Sequence, residues 1–161
     1  MRRFSRIFAW TTLFFVAGAV LFFTKAAALP YKVAWPVLLL SLATFLSRRR
    51  ELLPFGFAFL FSAAGDAVGA RGLFIPQMAF FALAHVAYVC WFLPRARCRL
   101  RAVSLAVTVP LLVFLFAAIV PEAPFPAERI GVAVYGLVIA AMLYSALQYD
   151  GACAAGFRCA A

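Results

Sequence analysis

Six apolar runs, each close to 20 residues long, dominate the chain. Charged residues, prolines or glycines separate them, and they lie at residues 6–24, 29–47, 52–69, 73–94, 101–120 and 130–148. Because an α-helix rises about 1.5 Å per residue, a run of this length crosses the roughly 30 Å hydrocarbon core of a bilayer. We therefore expect an all-α, polytopic transmembrane bundle of about six helices, formed by residues 1–148 and followed by a short cytoplasmic tail at 149–161.

The composition excludes a soluble globular domain. Of the 161 residues, 68% are hydrophobic and only 12% are charged, whereas about a quarter of the residues of a soluble domain are charged. Water could not solvate so much apolar surface with so few charged groups, but the core of a bilayer can. The net charge of +10 is spread over short clusters between the apolar runs, so we expect membrane phospholipids as partners and no nucleic acid.

The positions of the basic residues predict the orientation. With the N-terminus placed inside, eleven Lys and Arg residues fall on the inner side of the membrane, and four fall on the outer side. This positive-inside bias predicts a multi-pass protein of the inner (plasma) membrane with a cytoplasmic N-terminus. Residues Ala26–Ala28 could imitate a signal-peptide cleavage site, but the first run is longer than a signal core and Lys25 follows it.

Metal and disulfide chemistry have little support in the sequence. The cysteines show no C-x-x-C spacing and are most simply interpreted as small apolar fillers; they are Cys90, Cys98, Cys153 and Cys159. One histidine and one intramembrane aspartate are too few ligands for zinc. The sequence also has no phosphate-binding glycine loop and no G-x-S-x-G motif. We therefore expect no metal and no cofactor.

Asp66 is the ionisable residue that most favours a functional interpretation. It lies near the outer end of the third run, and a charge inside a bilayer is costly. Ser62 precedes it by four residues and shares its helical face, while Gly65 permits close approach of a neighbouring backbone. Loss of hydration favours the protonated form of such a carboxyl group, which can then donate a proton. The alternative is an aspartate at a helix end that the outer interface solvates.

His85, the only histidine, lies in the middle of the fourth run. Tyr88 follows it by three residues and Gln77 precedes it by eight, so the three side chains can share one helical face. The short connection after Asp66 makes the third and fourth runs antiparallel neighbours, and Asp66 and His85 can therefore face one cavity. The alternative is a histidine that only hydrogen-bonds a neighbouring helix.

Three further features could contribute to a site. Tyr135 and Met142 are seven residues apart in the sixth run and share a face, which by itself indicates packing. Lys32, near the start of the second run, can extend to the interface or hold a phosphate group. The basic stretch Arg95–Arg101 is predicted to be a cytoplasmic loop that contacts anionic headgroups.

Three segments together resemble the YhhN family, which includes the lysoplasmalogenases. They are Phe61-Ser62-Ala63-Ala64-Gly65-Asp66, Phe80-Phe81-Ala82-Leu83-Ala84-His85-Val86-Ala87-Tyr88 and Tyr135-Gly136-Leu137-Val138-Ile139-Ala140-Ala141-Met142. The specific part is Ser-x-x-Gly-Asp followed by His-x-x-Tyr at this separation, and the likeness covers residues 25–148. Lys32 resembles the family's lysine of the second span, although the proline that usually follows it directly comes only at Pro36 here.

The resemblance also implies features that residues 1–161 do not carry. Members of the family typically have more spans than this chain has apolar runs, with a second acidic motif beyond the sixth. We therefore expect the chain to be truncated at its C-terminus, with no residue that matches the second carboxylate.

The activity that the resemblance implies is hydrolysis of the vinyl ether bond of a lysoplasmalogen, which is a lysophospholipid. The products are a fatty aldehyde and glycerophospho-ethanolamine or -choline. On this interpretation Asp66 is the acid, and His85 orients the water or tunes the acid. Ser62, Tyr88, Gln77 and Tyr135 contact the substrate, and Lys32 binds its phosphate. The alternatives are an inactive family remnant, a small lipid-binding or transport protein, or a purely structural subunit.

Overall fold

The computed structural model describes residues 10, 12–20, 34–47, 49–96 and 101–149. These residues are almost entirely helical. The helices are α1 at residues 12–20, α2 at Ala34–Leu46, α3 at Leu53–Gly69, α4 at Phe74–Phe92, α5 at Arg101–Phe114 and α6 at Pro126–Leu147. The predicted all-α fold of about six helices is therefore confirmed.

Short helical turns lengthen three of these helices. Arg50–Leu52 leads into α3, Leu93–Arg95 follows α4, and a wide π-helical turn at Leu115–Ile119 follows α5 and leads into Val120–Glu122. Within the described residues, four of the resulting segments are long and apolar enough to cross a membrane. They are Arg50–Gly69, Phe74–Arg95, Arg101–Glu122 and Pro126–Leu147. The chain is a membrane protein.

Some boundaries differ from those of the apolar runs. Helix α6 begins at Pro126, before the run at 130–148, because proline suits the first turn and Glu128 lies at the positive end of the helix dipole. Helix α2 has 13 residues, and residues 21–33 before it lie outside the described part. So does the predicted tail at 149–161, apart from Tyr149.

The side chains are distributed as expected for a protein in lipid. Buried hydrophobic positions are almost all alanine, with Met78 the exception among the described residues, and the largest fully buried side chains are serines. Large apolar side chains point outward instead, as at Leu46 and Ile130, each 66% exposed. Helices pack through small residues in a bilayer because lipid tails solvate the large apolar ones equally well.

The chain forms two compact units, residues 1–87 and 88–161, and the boundary falls within α4. In the first unit, α2 packs against α3. The Ser41 hydroxyl donates a hydrogen bond to the Gly56 carbonyl oxygen at 2.9 Å, and the ring of Phe45 occupies the space beside Gly56. A buried hydroxyl that satisfies a backbone carbonyl fixes the position of α2 along α3.

A tight turn joins α3 to α4 in the same unit. The Ala70 and Arg71 amides donate to the carbonyl oxygens of Asp66 and Val68, and the Gly72 amide donates to that of Gly69 at 2.8 Å. Gly72 has a φ of 74°, a conformation that only glycine adopts without strain. The chain therefore reverses direction directly after α3.

In the second unit, α5 and α6 form the main contact. Gly136 of α6 lies against Leu115, and a Cβ atom at Gly136 would collide with that side chain. Arg129 donates from Nε to the Ala123 carbonyl oxygen at 2.8 Å, which ties the start of α6 to the preceding loop.

Candidate functional site

The contact between α3 and α4 has a defined antiparallel register. A Cβ atom on Gly65 would lie 2.9 Å from Cε1 of Phe81, and one on Gly69 would collide with the amide of Gln77. Both pairs are spaced by four residues, so they lie one helical turn apart on facing surfaces. The ring of Phe81 and the side-chain amide of Gln77 occupy the space beside the two glycines, so side chains of α4 reach the backbone of α3 there.

Asp66 lies beside this contact and not in its centre. It follows Gly65 directly, so its side chain projects about 80° around α3 from the line between Gly65 and Gly69. The residue is half-buried, and among the described residues nothing hydrogen-bonds its carboxyl group. Ser62, also half-buried, lies one turn earlier on the same face. A carboxyl group in this position can act on a bound molecule.

A backbone hydrogen bond holds the ring of His85. Its Nδ1 lies 2.7 Å from the Phe81 carbonyl oxygen, one turn earlier in α4. A carbonyl oxygen can only accept, so Nδ1 carries the hydrogen and donates it. In the neutral ring Nε2 is then the acceptor nitrogen, which suits it to orient a water molecule.

Helix geometry puts Asp66 and His85 on the same side of the α3–α4 pair. His85 projects about 60° around α4 from the line between Gln77 and Phe81, in the same rotational sense as Asp66 on α3. Both helices are right-handed and they run antiparallel. Side chains that are displaced in the same rotational sense on the two helices therefore project toward the same side of the pair. Because Gly65 faces Phe81 and Gly69 faces Gln77, which we call the glycine register, Asp66 lies at the same height along the helix axis as Phe80. His85 therefore lies about 7–8 Å further along the axis.

This spacing suits two groups that act on one bound molecule. Asp66 and His85 are too far apart along the axis for a direct hydrogen bond, which needs about 3 Å. The arrangement can therefore combine a proton donor with a group that positions water, the elements of general acid catalysis.

Met78 lies on the same side of the α3–α4 pair as His85, and it is not among the site residues predicted from the sequence. It is buried, with 6% of its surface exposed, and lies seven residues before His85, which places it on the same face of α4. This seven-residue spacing from His85 could have identified Met78 from the sequence as a candidate site residue. Methionine in an apolar helix is, however, ordinarily a packing residue. Helix geometry puts Met78 on the side of α4 that carries His85, where it adds an apolar side chain.

The remaining predicted site residues lie in several places. Gln77 packs against Gly69 at the end of the pair next to the α3–α4 turn. Tyr88 is half-buried one turn beyond His85 on α4, and Tyr135 is half-buried on α6; both belong to the second unit. Lys32 lies outside the described residues. The roles of these residues in a site stay predictions.

An apolar cavity of about 300 Å³ lies elsewhere in the first unit, between α2 and α3. Its lining residues are Ala34, Trp35, Leu38, Leu60, Ala63, Ala64 and Ala67. Ala63 and Ala67 are on the face of α3 that points away from Gly65 and Gly69. Neither Asp66 nor Ser62 is among the lining residues of the cavity.

Among the described residues, no group of three His, Cys, Asp or Glu side chains is close enough to bind a metal ion. The α3–α4 pair offers a carboxyl group, an imidazole and hydroxyl groups.

Comparison with known proteins gives one match. The family model described as the YhhN family matches residues 27–161. No curated protein matches the chain, and no solved structure does. The matched residues include the whole α3–α4 pair.

Proposed function

This chain belongs to the YhhN family, and we propose that it hydrolyses the vinyl ether bond of lysoplasmalogens. The products are a fatty aldehyde and glycerophospho-ethanolamine or -choline. The observation that supports the proposal is the glycine register of α3 and α4, from which helix geometry predicts Asp66 and His85 on one side of the pair, about 7–8 Å apart along the axis.

The reaction begins with proton transfer to carbon. Protonated Asp66 donates its proton to the alkenyl carbon that is not bonded to oxygen, and the double-bond electrons form the new C–H bond. The other alkenyl carbon becomes an oxocarbenium ion, and the carboxylate that remains on Asp66 stabilises this positive charge. A half-buried carboxyl group suits both steps, because an apolar setting favours the neutral acid that donates the proton and screens poorly the charge that forms afterwards.

Water then completes the hydrolysis. Nε2 of His85 accepts a hydrogen bond from a water molecule, which attacks the cationic carbon and gives a hemiacetal. The water's second proton returns to Asp66, and the hemiacetal breaks its bond to the glycerol oxygen to release the aldehyde and the alcohol. Ser62 and Tyr88 supply hydrogen bonds around the site, Gln77 and Tyr135 contact the substrate, and Lys32 binds its phosphate.

The proposal is tested by aldehyde release from a lysoplasmalogen by purified protein in detergent. We expect the wild type to release aldehyde and Asp66→Asn to lose at least about 10²-fold in kcat, since the amide cannot donate a proton to carbon. Glu51→Gln is the matched control, because it removes an exposed carboxyl group just before α3 and should leave kcat unchanged.

Two results would contradict the proposal. One is equal activity of Asp66→Asn and the wild type. The other is no release by folded wild-type protein beside an active member of the family, which would favour a lipid-binding remnant.

A further inference from the structure

A cluster of aromatic rings closes the ends of α4 and α6 in the second unit. The ring centroids of Trp91 and Tyr149 are 5.0 Å apart, and those of Phe92 and Tyr149 are 5.6 Å apart. Tyr149 follows α6 and forms an isolated antiparallel bridge with Ala96, just beyond α4. Ring contacts and a backbone bridge therefore join the C-terminal end of α4 to that of α6.

Arg95 is held on the face of this ring cluster. Its guanidinium carbon lies 4.7 Å from the ring centroid of Trp91, and its Nη1 donates to the Trp91 carbonyl oxygen at 2.8 Å. A guanidinium group has five N–H donors, and Arg95 is exposed. The contacts with Trp91 fix the plane of the group, which leaves donors directed outward in a defined orientation.

The surroundings favour an anion at this position. Arg95 ends a segment long enough to span the membrane, on the side where the basic residues concentrate. The sequence has no acidic residue between Asp66 and Glu122, but it has Arg95, Arg97, Arg99 and Arg101 there. Asp150 is the acidic residue nearest in sequence to Tyr149 and lies outside the described part. The sequence that follows Trp91 is thus strongly basic.

We propose that Arg95 and the ring cluster of Trp91, Phe92 and Tyr149 bind the headgroup of an anionic phospholipid. The guanidinium group donates paired hydrogen bonds to the phosphate, and the rings pack against the glycerol and the first acyl carbons, where tryptophan and tyrosine are favoured in membranes. A zwitterionic headgroup is disfavoured, since its ammonium group meets the same arginines. The site is separate from the proposed catalytic pair and does not depend on it.

Native mass spectrometry of the full chain, released from micelles that contain phosphatidylglycerol or phosphatidylcholine, tests the site. We expect the wild type to retain phosphatidylglycerol in preference to phosphatidylcholine. Arg95→Gln should lower retained phosphatidylglycerol about fivefold, the effect of one well-placed basic residue at a membrane surface. Arg50→Gln is the matched control, because it removes an exposed arginine from the same predicted side and should cause little loss.

The rings provide a second readout. Trp91→Leu should lower retention although Arg95 is present, and Trp91→Phe should keep most of it; far-UV circular dichroism of each variant checks that the helices are intact. Equal losses in Arg95→Gln and Arg50→Gln would overturn the proposal, because they would indicate diffuse surface charge. Equal retention of both lipids by the wild type would overturn it as well.

Discussion

At the scale of single residues, one hydrogen bond determines what His85 can do. With Nδ1 donating to the Phe81 carbonyl oxygen at 2.7 Å, the ring is fixed in orientation and Nε2 is its acceptor. The proposed reaction needs Nε2 to accept a hydrogen bond from water, in addition to the Nδ1 contact. The two nitrogens can therefore be tested separately.

Two substitutions of His85 separate these roles. The amide of Asn reaches the Nδ1 position and can keep the bond to the Phe81 carbonyl, whereas the amide of Gln reaches the Nε2 position. We expect His85→Asn to lose roughly 10²-fold in kcat for aldehyde release, with KM little changed, and His85→Gln to lose clearly less. Stopped assays at saturating substrate measure this. Full activity in both variants would show that the imidazole takes no part in the reaction.

At the scale of elements, the α3–α4 pair depends on the missing side chain at Gly65. A Cβ atom there would lie 2.9 Å from the Phe81 ring, which is closer than carbon atoms pack. The helices must then separate or the ring must turn, and either change moves Asp66 relative to His85. Displacement of catalytic groups by about 1 Å can cost roughly 10²-fold in rate.

Gly65→Ala should therefore lower both stability and activity. We expect a loss of about 1–3 kcal/mol in the free energy of unfolding, the usual cost of overpacking, measured by titration of mixed micelles with a denaturing detergent. Phe81→Leu makes room for the added methyl group. In a double-mutant cycle the combined variant should lose less than the sum of the single losses, and strict additivity would mean that residue 65 does not contact Phe81 in the folded protein.

The apolar runs were sufficient to predict the helical fold, but not which faces meet. Helices α3 and α4 are apolar on all sides, so hydrophobic periodicity could not distinguish a helix contact from a lipid-facing surface. The Gly65–Phe81 register, the cavity beside Ala63 and the buried position of Met78 depend on which small residues meet across helices. The ring contact between Trp91 and Tyr149 joins residues too far apart in sequence for any local pattern to predict.

At the scale of the whole molecule, orientation decides which lipid leaflet meets the proposed site. Asp66 is three residues from the end of α3 and precedes the turn that contains Arg71. The bias of basic residues predicts that this turn is outside. A substrate headgroup would then lie in the outer leaflet, with the vinyl ether only a short way into the membrane.

Labelling of single cysteines tests this orientation. In a variant without the four native cysteines, Leu73→Cys places a thiol directly after the α3–α4 turn at a position that is 49% exposed. Glu51→Cys places one at the opposite end of the segment Arg50–Gly69, also exposed. We expect a membrane-impermeant maleimide to label Leu73→Cys in intact spheroplasts, and Glu51→Cys only after the membrane is permeabilised. Ala127→Cys, in the first turn of α6, should behave like Leu73→Cys because an even number of spans separates them. The reverse pattern would place Asp66 near the cytoplasmic leaflet, and substrate supplied from outside would then have to cross the bilayer before it reached the site.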